Sequence, residues 1–307
     1  MISVKNLTKN FNAVQALKGI SFEIVNGEFY GLLGPNGAGK TTTISIMSTI
    51  LEPTSGEVII DGMDLKKNPI ACKRIIGVVP QEIALYNDLS AWQNLMFWGS
   101  LYNVPDAELK SRIDETLHLL GLHERKDDKI KTYSGGMKRR INIATALLHH
   151  PKILFMDEPT AGIDPQSRNL IFEVVEKLHR DGLTIVYTTH YMEEAERFCD
   201  RIGIIDKGEI IAQGTLDELK SLSKMKETIL VSFTNLTDPL FDKMSSLWNG
   251  ITRAGDAIHF TSQDVKRDLS TVILKCNEVG LDISGIDIQK INLETIFLNL
   301  TGKQLRD

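Results

Sequence analysis

Residues 34–41 read GPNGAGKT, a G-x-x-x-x-G-K-[ST] spacing set between the strand-like EFYGLL and the helix-like KTTTISIMSTIL. Such a loop suits one kind of chemistry. Glycines at 37 and 39 let the backbone approach an anion closely, successive N–H groups can surround phosphate oxygens, and the helix start that follows carries the positive end of a dipole. Lys40 is then placed to reach the β- and γ-phosphates of a nucleotide and Thr41 to hold Mg2+, with Gly34, Pro35, Asn36, Ala38 and Thr42 completing the cradle.

A second set of groups follows the apolar run KILFM. Asp157 and Glu158 stand at its carboxyl end, the edge of a parallel sheet where ligands bind. Asp157 suits a Mg2+ contact, usually through water, and Glu158 suits polarising a water for attack on phosphorus. Paired acids after a strand are by themselves commonly a solvated loop with a helix cap; beside a phosphate loop the chemical reading is preferred. Tyr133–Met137 reads YSGGM directly before KRRINIATALL, by itself a helix N-cap, yet also a second helix start receptive to anions.

The elements that must position these groups are legible in outline. From Ile2 to about Gly62 short β-type runs alternate with the turns Asn26-Gly27 and Asp61-Gly62, with one helix inserted after Lys40. After the strand IGVVP the pattern turns helical. Ser90 and Gln93 form a capping-box signal opening a helix that Pro105 is expected to end, and Leu109, Ile113, Leu117 and Leu120 mark an amphipathic helix stopped at Gly121. Residues of about 88–133 therefore read as a helical insert. Strand and helix then alternate again: KILFMD, a helix begun by Asp164-Pro165 and ended by Gly182, LTIVYTT and IGIID, which implies a parallel sheet. A short helix near Leu216 to Leu222 leads into SKMKE, a linker, and residues 227–307 read βαββαβα, a small split βαβ sandwich.

The order GPNGAGKTT, Gln81, YSGGM, ILFMDEP, AGID and His190 resembles an ATP-binding cassette ATPase over about residues 1–215. The resemblance implies an α/β P-loop NTPase cassette (1–220) with an N-terminal antiparallel β subdomain and a helical insert, beside a small α+β C-terminal domain (227–307). It implies ATP and Mg2+ as ligands, and a head-to-tail, ATP-dependent homodimer in which Ser134, Gly135 and Gly136 of one copy cover the γ-phosphate held by the other. Gln81 matches the family's Mg2+- and water-sensing glutamine, so Thr41, Gln81 and Asp157 are the expected metal residues. His190 matches the γ-phosphate switch histidine, which joins Glu158 and Lys40 as catalytic; Asp164 falls in the loop between the two sites. Phe11 takes the place of the aromatic that stacks on adenine, where many members have Tyr. Tyr133 and Met137, where Leu and Gln are commonest, and the ending INLETIFLNLTGKQLRD resemble the branch of drug, polysaccharide and lipid exporters, including the daunorubicin-resistance type, often with separately encoded permeases. Gln93 stands where Glu is frequent.

Bulk properties narrow the alternatives. The chain has 307 residues, 42% hydrophobic and 24% charged, and a formal charge of −5, which gives no footprint for nucleic acid. No run reaches the 18 apolar residues of a membrane span and Met1 leads straight into ISVKNL, so a cytoplasmic chain held at the inner face of the membrane by its permease is expected. Cys72, Cys199 and Cys276 lack metal-ligand spacing and read as reduced small residues. Lys138, Arg139 and Arg140 read as a solvated helix face and His149-His150 as a helix end. Trp92, Phe97, Trp98 and Tyr102 read as core before they read as a docking groove for a membrane partner. The expectation is an ATP-hydrolysing subunit energising export through a separate permease. The alternatives are a soluble cassette protein of translation or repair, disfavoured by the single cassette and the acidic balance, and a regulatory module without turnover, disfavoured by Glu158 and His190.

Overall fold

The computed structural model describes residues 1–223, 225–262 and 264–302; Lys224 of the expected linker and residues 303–307 of the tail lie outside them. Two compact units divide the chain, Met1–Leu216 and Asp217–Leu300.

In the first unit β1 (Ile2–Phe11) and β2 (Val14–Ile24) form a hairpin, and β3 (Phe29–Leu33) delivers the phosphate loop to α1 (Lys40–Met47). The strands β4 (Ser55–Ile60) and β5 (Met63–Asp64) turn through Asp61 and Gly62 at φ 49° and 78°, the pair of left-handed residues that a two-residue hairpin requires. Sheet order β2-β1-β4-β5 gives the antiparallel subdomain. Next come α2 (Pro69–Ile75), β6 (Ile76–Val79), α3 (Ala91–Ser100), α4 (Asp106–Leu119), two 3-10 turns at His123–Arg125 and Ile130–Thr132, and α5 (Gly135–Leu147). The unit closes with β7 (Ile153–Asp157), α6 (Pro165–Arg180), β8 (Thr184–Thr189), α7 (Met192–Phe198), β9 (Arg201–Asp206) and β10 (Glu209–Gly214).

The second sheet runs β10-β9-β3-β8-β7-β6, parallel except for β10. Every residue of β3, β7 and β8 is buried, the continuous apolar pattern of strands covered on both faces. Alternation along β7 feeds two cores at once: Leu154 and Met156 pack with Leu95 and Ile113 of the helical insert and Ile141 of α5, whereas Ile153 and Phe155 pack with Phe22, Tyr30 and Ile46. The strand that carries Asp157 is thereby held from both sides.

Two expectations about the insert change. The capping box of α3 forms in both directions, Gln93 N–H donating to Ser90 Oγ and Ser90 N–H to Gln93 Oε1, but the helix ends at Ser100 rather than at Pro105. Asn103 takes a left-handed φ of 56°, which stops the spiral early, and Pro105 becomes the N-cap of α4. The helices α2 and α7 had no counterpart in the sequence reading, because seven-residue helices show too few turns for a period to be seen.

The second unit runs α8 (Leu216–Ser223), β11 (Glu227–Phe233), α9 (Asp238–Leu247), β12 (Ile251–Ala254), β13 (Ala257–Ser262), α10 (Val265–Val279), β14 (Ile283–Gln289) and α11 (Leu293–Thr301). Its antiparallel sheet, ordered β12-β13-β11-β14, packs Ile229, Val231 and Phe260 against Val272 and Cys276. All three cysteines are free, and burial pushes the Cys276 thiol up to about 11. Among the described residues no helix is long and apolar enough to cross a membrane.

Candidate functional site

The loop from Gly34 to Gly39 is tight for reasons that its sequence supplies. A Cβ at Gly34 would stand 2.2 Å from the Ile205 carbonyl oxygen, and Gly39, at φ +113°, would press one 2.7 Å from Leu17 Cδ2. Gly37 also has a positive φ, +79°, with nothing within 4 Å of a Cβ, so the loop stays open on that side. No side chain caps α1, which leaves its first N–H groups free for an anion. Lys40 is 4% exposed, and its ammonium donates to the carbonyls of Gly34 (2.8 Å) and Pro35 (3.2 Å), drawing the loop around itself.

Across from the loop, β7 ends in Asp157, which accepts from Thr188 Oγ1 at 2.5 Å, and in Glu158, whose φ is +44°. A non-glycine residue held there costs on the order of 1–2 kcal/mol, offset here by the Glu158 N–H bonds to the carbonyl and hydroxyl of Thr188. The twist aims the carboxylate at three partners: Lys40 Nζ at 2.9 Å, His190 Nδ1 at 3.2 Å and Gln81 Nε2 at 3.5 Å. Four residues singled out far apart in sequence thus meet at one carboxylate.

Other expected residues are placed less directly. Thr41 is exposed, and Phe11 is 43% exposed with the Lys9 ammonium 5.1 Å from its ring centre. Ser134 caps α5, accepting from Met137 N–H, and it and Gly135 are exposed, Gly135 with open space around its Cα. Gly136 differs. It is buried, and a Cβ there would lie 2.0 Å from Ser167 Oγ and 3.4 Å from Asp164 Oδ2, so its smallness serves the packing of α5 on α6. Among the described residues no hydrogen bond joins Ser134, Gly135 or Gly136 to the phosphate loop of the same chain.

The charge run beside this segment is not a solvated face. Arg139 is 4% and Arg140 9% exposed. Arg139 donates to the carbonyls of Pro80 (2.8 Å) and Gln81 (2.6 Å), and Arg140 donates to the Leu120 carbonyl; these orphan acceptors at loop and helix ends explain why guanidinium groups are tolerated inside. Burial depresses the pKa of both. Arg139 therefore positions Gln81, a role that the run of three basic residues concealed. Glu194 was also missed. Buried on α7, it accepts from Thr160, Tyr187 and Thr189, fixing the end of β8 beside His190, while burial and the Glu194 charge push the Tyr187 phenol well above its ordinary range. Its only sequence signal was an acid in an amphipathic EEAERF.

The aromatic group also departs from a core reading. Trp92 packs on the core, but Tyr86 and Phe97 are exposed and form a cluster with half-buried Trp98, Phe97 meeting both other rings edge-on, and Trp98, Leu101 and Tyr102 face Ile70, Lys73 and Arg74 across a cavity of about 400 Å³. His149 is more than a helix end: its ring stacks on Tyr102 at 3.7 Å and its Nε2–H donates to the Ile76 carbonyl.

The family profile described as ABC transporter matches residues 17–161. The chain is 45% identical over 311 residues to the Linearmycin resistance ATP-binding protein LnrL of Bacillus subtilis (strain 168), covering 100% of both. It is 34% identical to the Nod factor export ATP-binding protein I of Ralstonia nicotianae, over 100% of this chain and 95% of that one. Among solved structures, the dimeric post-hydrolysis state of an ATP-binding cassette bound to ADP and Pi superposes with a TM-score of 0.65 at 30% identity, over 70% of this chain and 98% of that chain.

Proposed function

Because the chain belongs to the ATP-binding cassette family, as an ATP-binding and ATP-hydrolysing subunit of an ABC transporter, we propose a division of labour among its residues and an outward direction for the transport it drives. The observation that carries this reading is the convergence of Lys40, Gln81 and His190 on Glu158.

The triphosphate of ATP occupies the loop Gly34–Gly39, and Lys40 leaves Glu158 for the β- and γ-phosphates, with Thr41 and Thr42 at the helix start beside them. Phe11, exposed at the rim of the antiparallel subdomain, stacks on adenine. Thr41, Gln81 and Asp157 offer a hydroxyl, an amide oxygen and a carboxylate, an all-oxygen donor set that fits Mg2+, which when bound neutralises charge on the phosphate oxygens. Glu158, released from Lys40, takes the proton of the attacking water, and His190 moves from Glu158 to the γ-phosphate. The exposed Ser134 and Gly135, set on Gly136, reach the γ-phosphate held by a second copy, arranged head to tail, with Asp164 between the sites. The dimeric cassette of the solved relative supports that assembly.

The groove beside Trp98, Leu101 and Tyr102 receives a cytoplasmic segment of a membrane permease, which places the chain at the inner face of the membrane. Exposed Ile70, Leu101 and Tyr86, at 71%, 58% and 49%, are the surface such a contact would cover. Export is supported by relatives named for drug resistance and for Nod factor export, and against a soluble role in translation or repair. The test is co-expression with the permease in everted vesicles. ATP-dependent uptake of drug into the vesicles, lost with Leu101→Asp together with membrane co-purification, supports the reading; membrane association unaltered by that substitution overturns the docking site, and ATP-driven movement in the opposite sense overturns export.

A further inference from the structure

The helical insert carries a cluster that the nucleotide chemistry does not use. On α4 the buried positions Leu109, Ile113 and Leu117 set one face, and Asp114 and His118, one turn apart, stand together on another, with His118 Nε2 3.7 Å from Asp114 Oδ2. Gly121, at φ +63°, ends the spiral, and buried Leu122 anchors the returning chain. His123 then folds back onto α4. Its Nε2 lies 2.8 Å from Asp114 Oδ1, and its ring stacks on that of His118 at 3.9 Å between centres and 13° between planes.

We propose that Asp114, His118 and His123 form a binding site for one divalent transition ion of the zinc class. Their ligand atoms all lie within 4.8 Å of one another. Ligand atoms about a tetrahedral ion at bonds of about 2.0–2.1 Å are spaced by about 3.3 Å, so small side-chain rotations close the site and leave a fourth position for water. Two imidazoles and one carboxylate suit Zn2+, Co2+ or Ni2+ far better than Mg2+ or Ca2+.

The surroundings of His123 point the same way. Its Nδ1 lies 3.2 Å from Glu124 Oε1, the outer carboxylate that orients a metal-bound histidine and directs the lone pair of Nε2 inward. In that tautomer the Nε2 lone pair would face the Asp114 carboxylate at 2.8 Å, two acceptors that a cation between them would reconcile. The Lys126 ammonium stands 3.4 Å from His123 Nε2 and 3.8 Å from Asp114 Oδ1 in that capacity. Its long stem lets it swing away, so it competes with the ion. The cluster is reachable from solvent, with side-chain exposures of 46%, 60% and 24% for Asp114, His118 and His123. An ion there would tie the end of α4 to the turn whose Arg125 carbonyl accepts the Tyr133 hydroxyl, next to Ser134.

The experiment uses the full chain without an affinity tag or nucleotide. Co2+ is titrated by visible absorption, and Zn2+ by competition with a chromophoric chelator. One equivalent of Co2+ with d–d bands and no thiolate charge-transfer band is expected. His118→Ala and His123→Ala should each weaken binding at least about tenfold, and Asp114→Asn, which keeps size and so tests ligation apart from folding, should weaken it as well. Lys126→Gln should tighten it. Absence of saturable binding, a thiolate band, or affinity unchanged in the double His118→Ala/His123→Ala variant would overturn the site.

Discussion

Lys40 Nζ lies 2.9 Å from Glu158 Oε1, and both side chains are almost wholly withdrawn from solvent. Without nucleotide, the cation assigned to phosphate and the carboxylate assigned to water neutralise each other. Removing one partner of such a buried pair strands the other charge, at a cost of about 3–5 kcal/mol. Lys40→Met should therefore lose both nucleotide affinity and stability, whereas Lys40→Met/Glu158→Gln should regain most of the stability and none of the affinity. Urea denaturation beside nucleotide titration checks this; equal stability of the single and double variants would break the coupling.

Glu158→Gln alone keeps size and hydrogen bonding but removes the base. Hydrolysis should fall by a factor of about 10² to 10⁴ while MgATP still binds. Uncleaved ATP between one copy's Lys40 and the other's Ser134 should then favour a dimer in size-exclusion chromatography with MgATP, and Ser134→Arg should abolish it. A wild-type hydrolysis rate in Glu158→Gln would sink the assignment of the base.

The two glycines of YSGGM should separate by duty. Gly136→Ala drives a methyl into Ser167 Oγ and should cost about 1–3 kcal/mol, recovered in part by Ser167→Gly. Gly135→Ala meets nothing within 4 Å in its own chain, so its stability should hold while ATP-dependent dimerisation weakens. Denaturation midpoints and chromatography measure the two effects; equal loss of stability in both variants would refute the distinction.

Burial holds the His149 pKa below its ordinary value, against the hydrogen bond to the Ile76 carbonyl and together with the charges of Arg112 and His150, and its Nδ1 is buried without a hydrogen-bond partner. The unfolded chain takes up this proton near pH ~6.5 and the folded chain only at lower pH, so stability should fall as pH drops from about 7 to 5 and be unaffected by this group above 7. His149→Phe, which keeps a ring against Tyr102, should flatten that slope. Urea midpoints at several pH values decide it.

How much was legible depended on whether a residue's role was local. GPNGAGKT and DEP act through the backbone beside them, and both sit at the strand ends where the sequence put them. The end of α3 was misplaced because Asn103 adopts a left-handed φ that nothing in its neighbours announces, and Pro105 was the louder signal. Arg139 and Glu194 were missed for another reason. Arg139 grips the Gln81 carbonyl 58 residues away, Glu194 gathers hydroxyls from 5, 7 and 34 residues back, and a buried charge reads as a surface charge until the acceptors or donors around it are known.

Ser134 and Arg139 ride on one helix, about 7.5 Å apart along its axis at the usual rise per residue. An α-helix of this length moves as a rod. Whatever tugs its first turn must drag the guanidinium at 139, and with it the Pro80 and Gln81 carbonyls that the guanidinium grips. In the head-to-tail dimer proposed above, this helix would act as a push-rod with one end at the neighbouring copy and the other on the glutamine of its own site, so that occupancy next door would register at home as a change in where Gln81 stands.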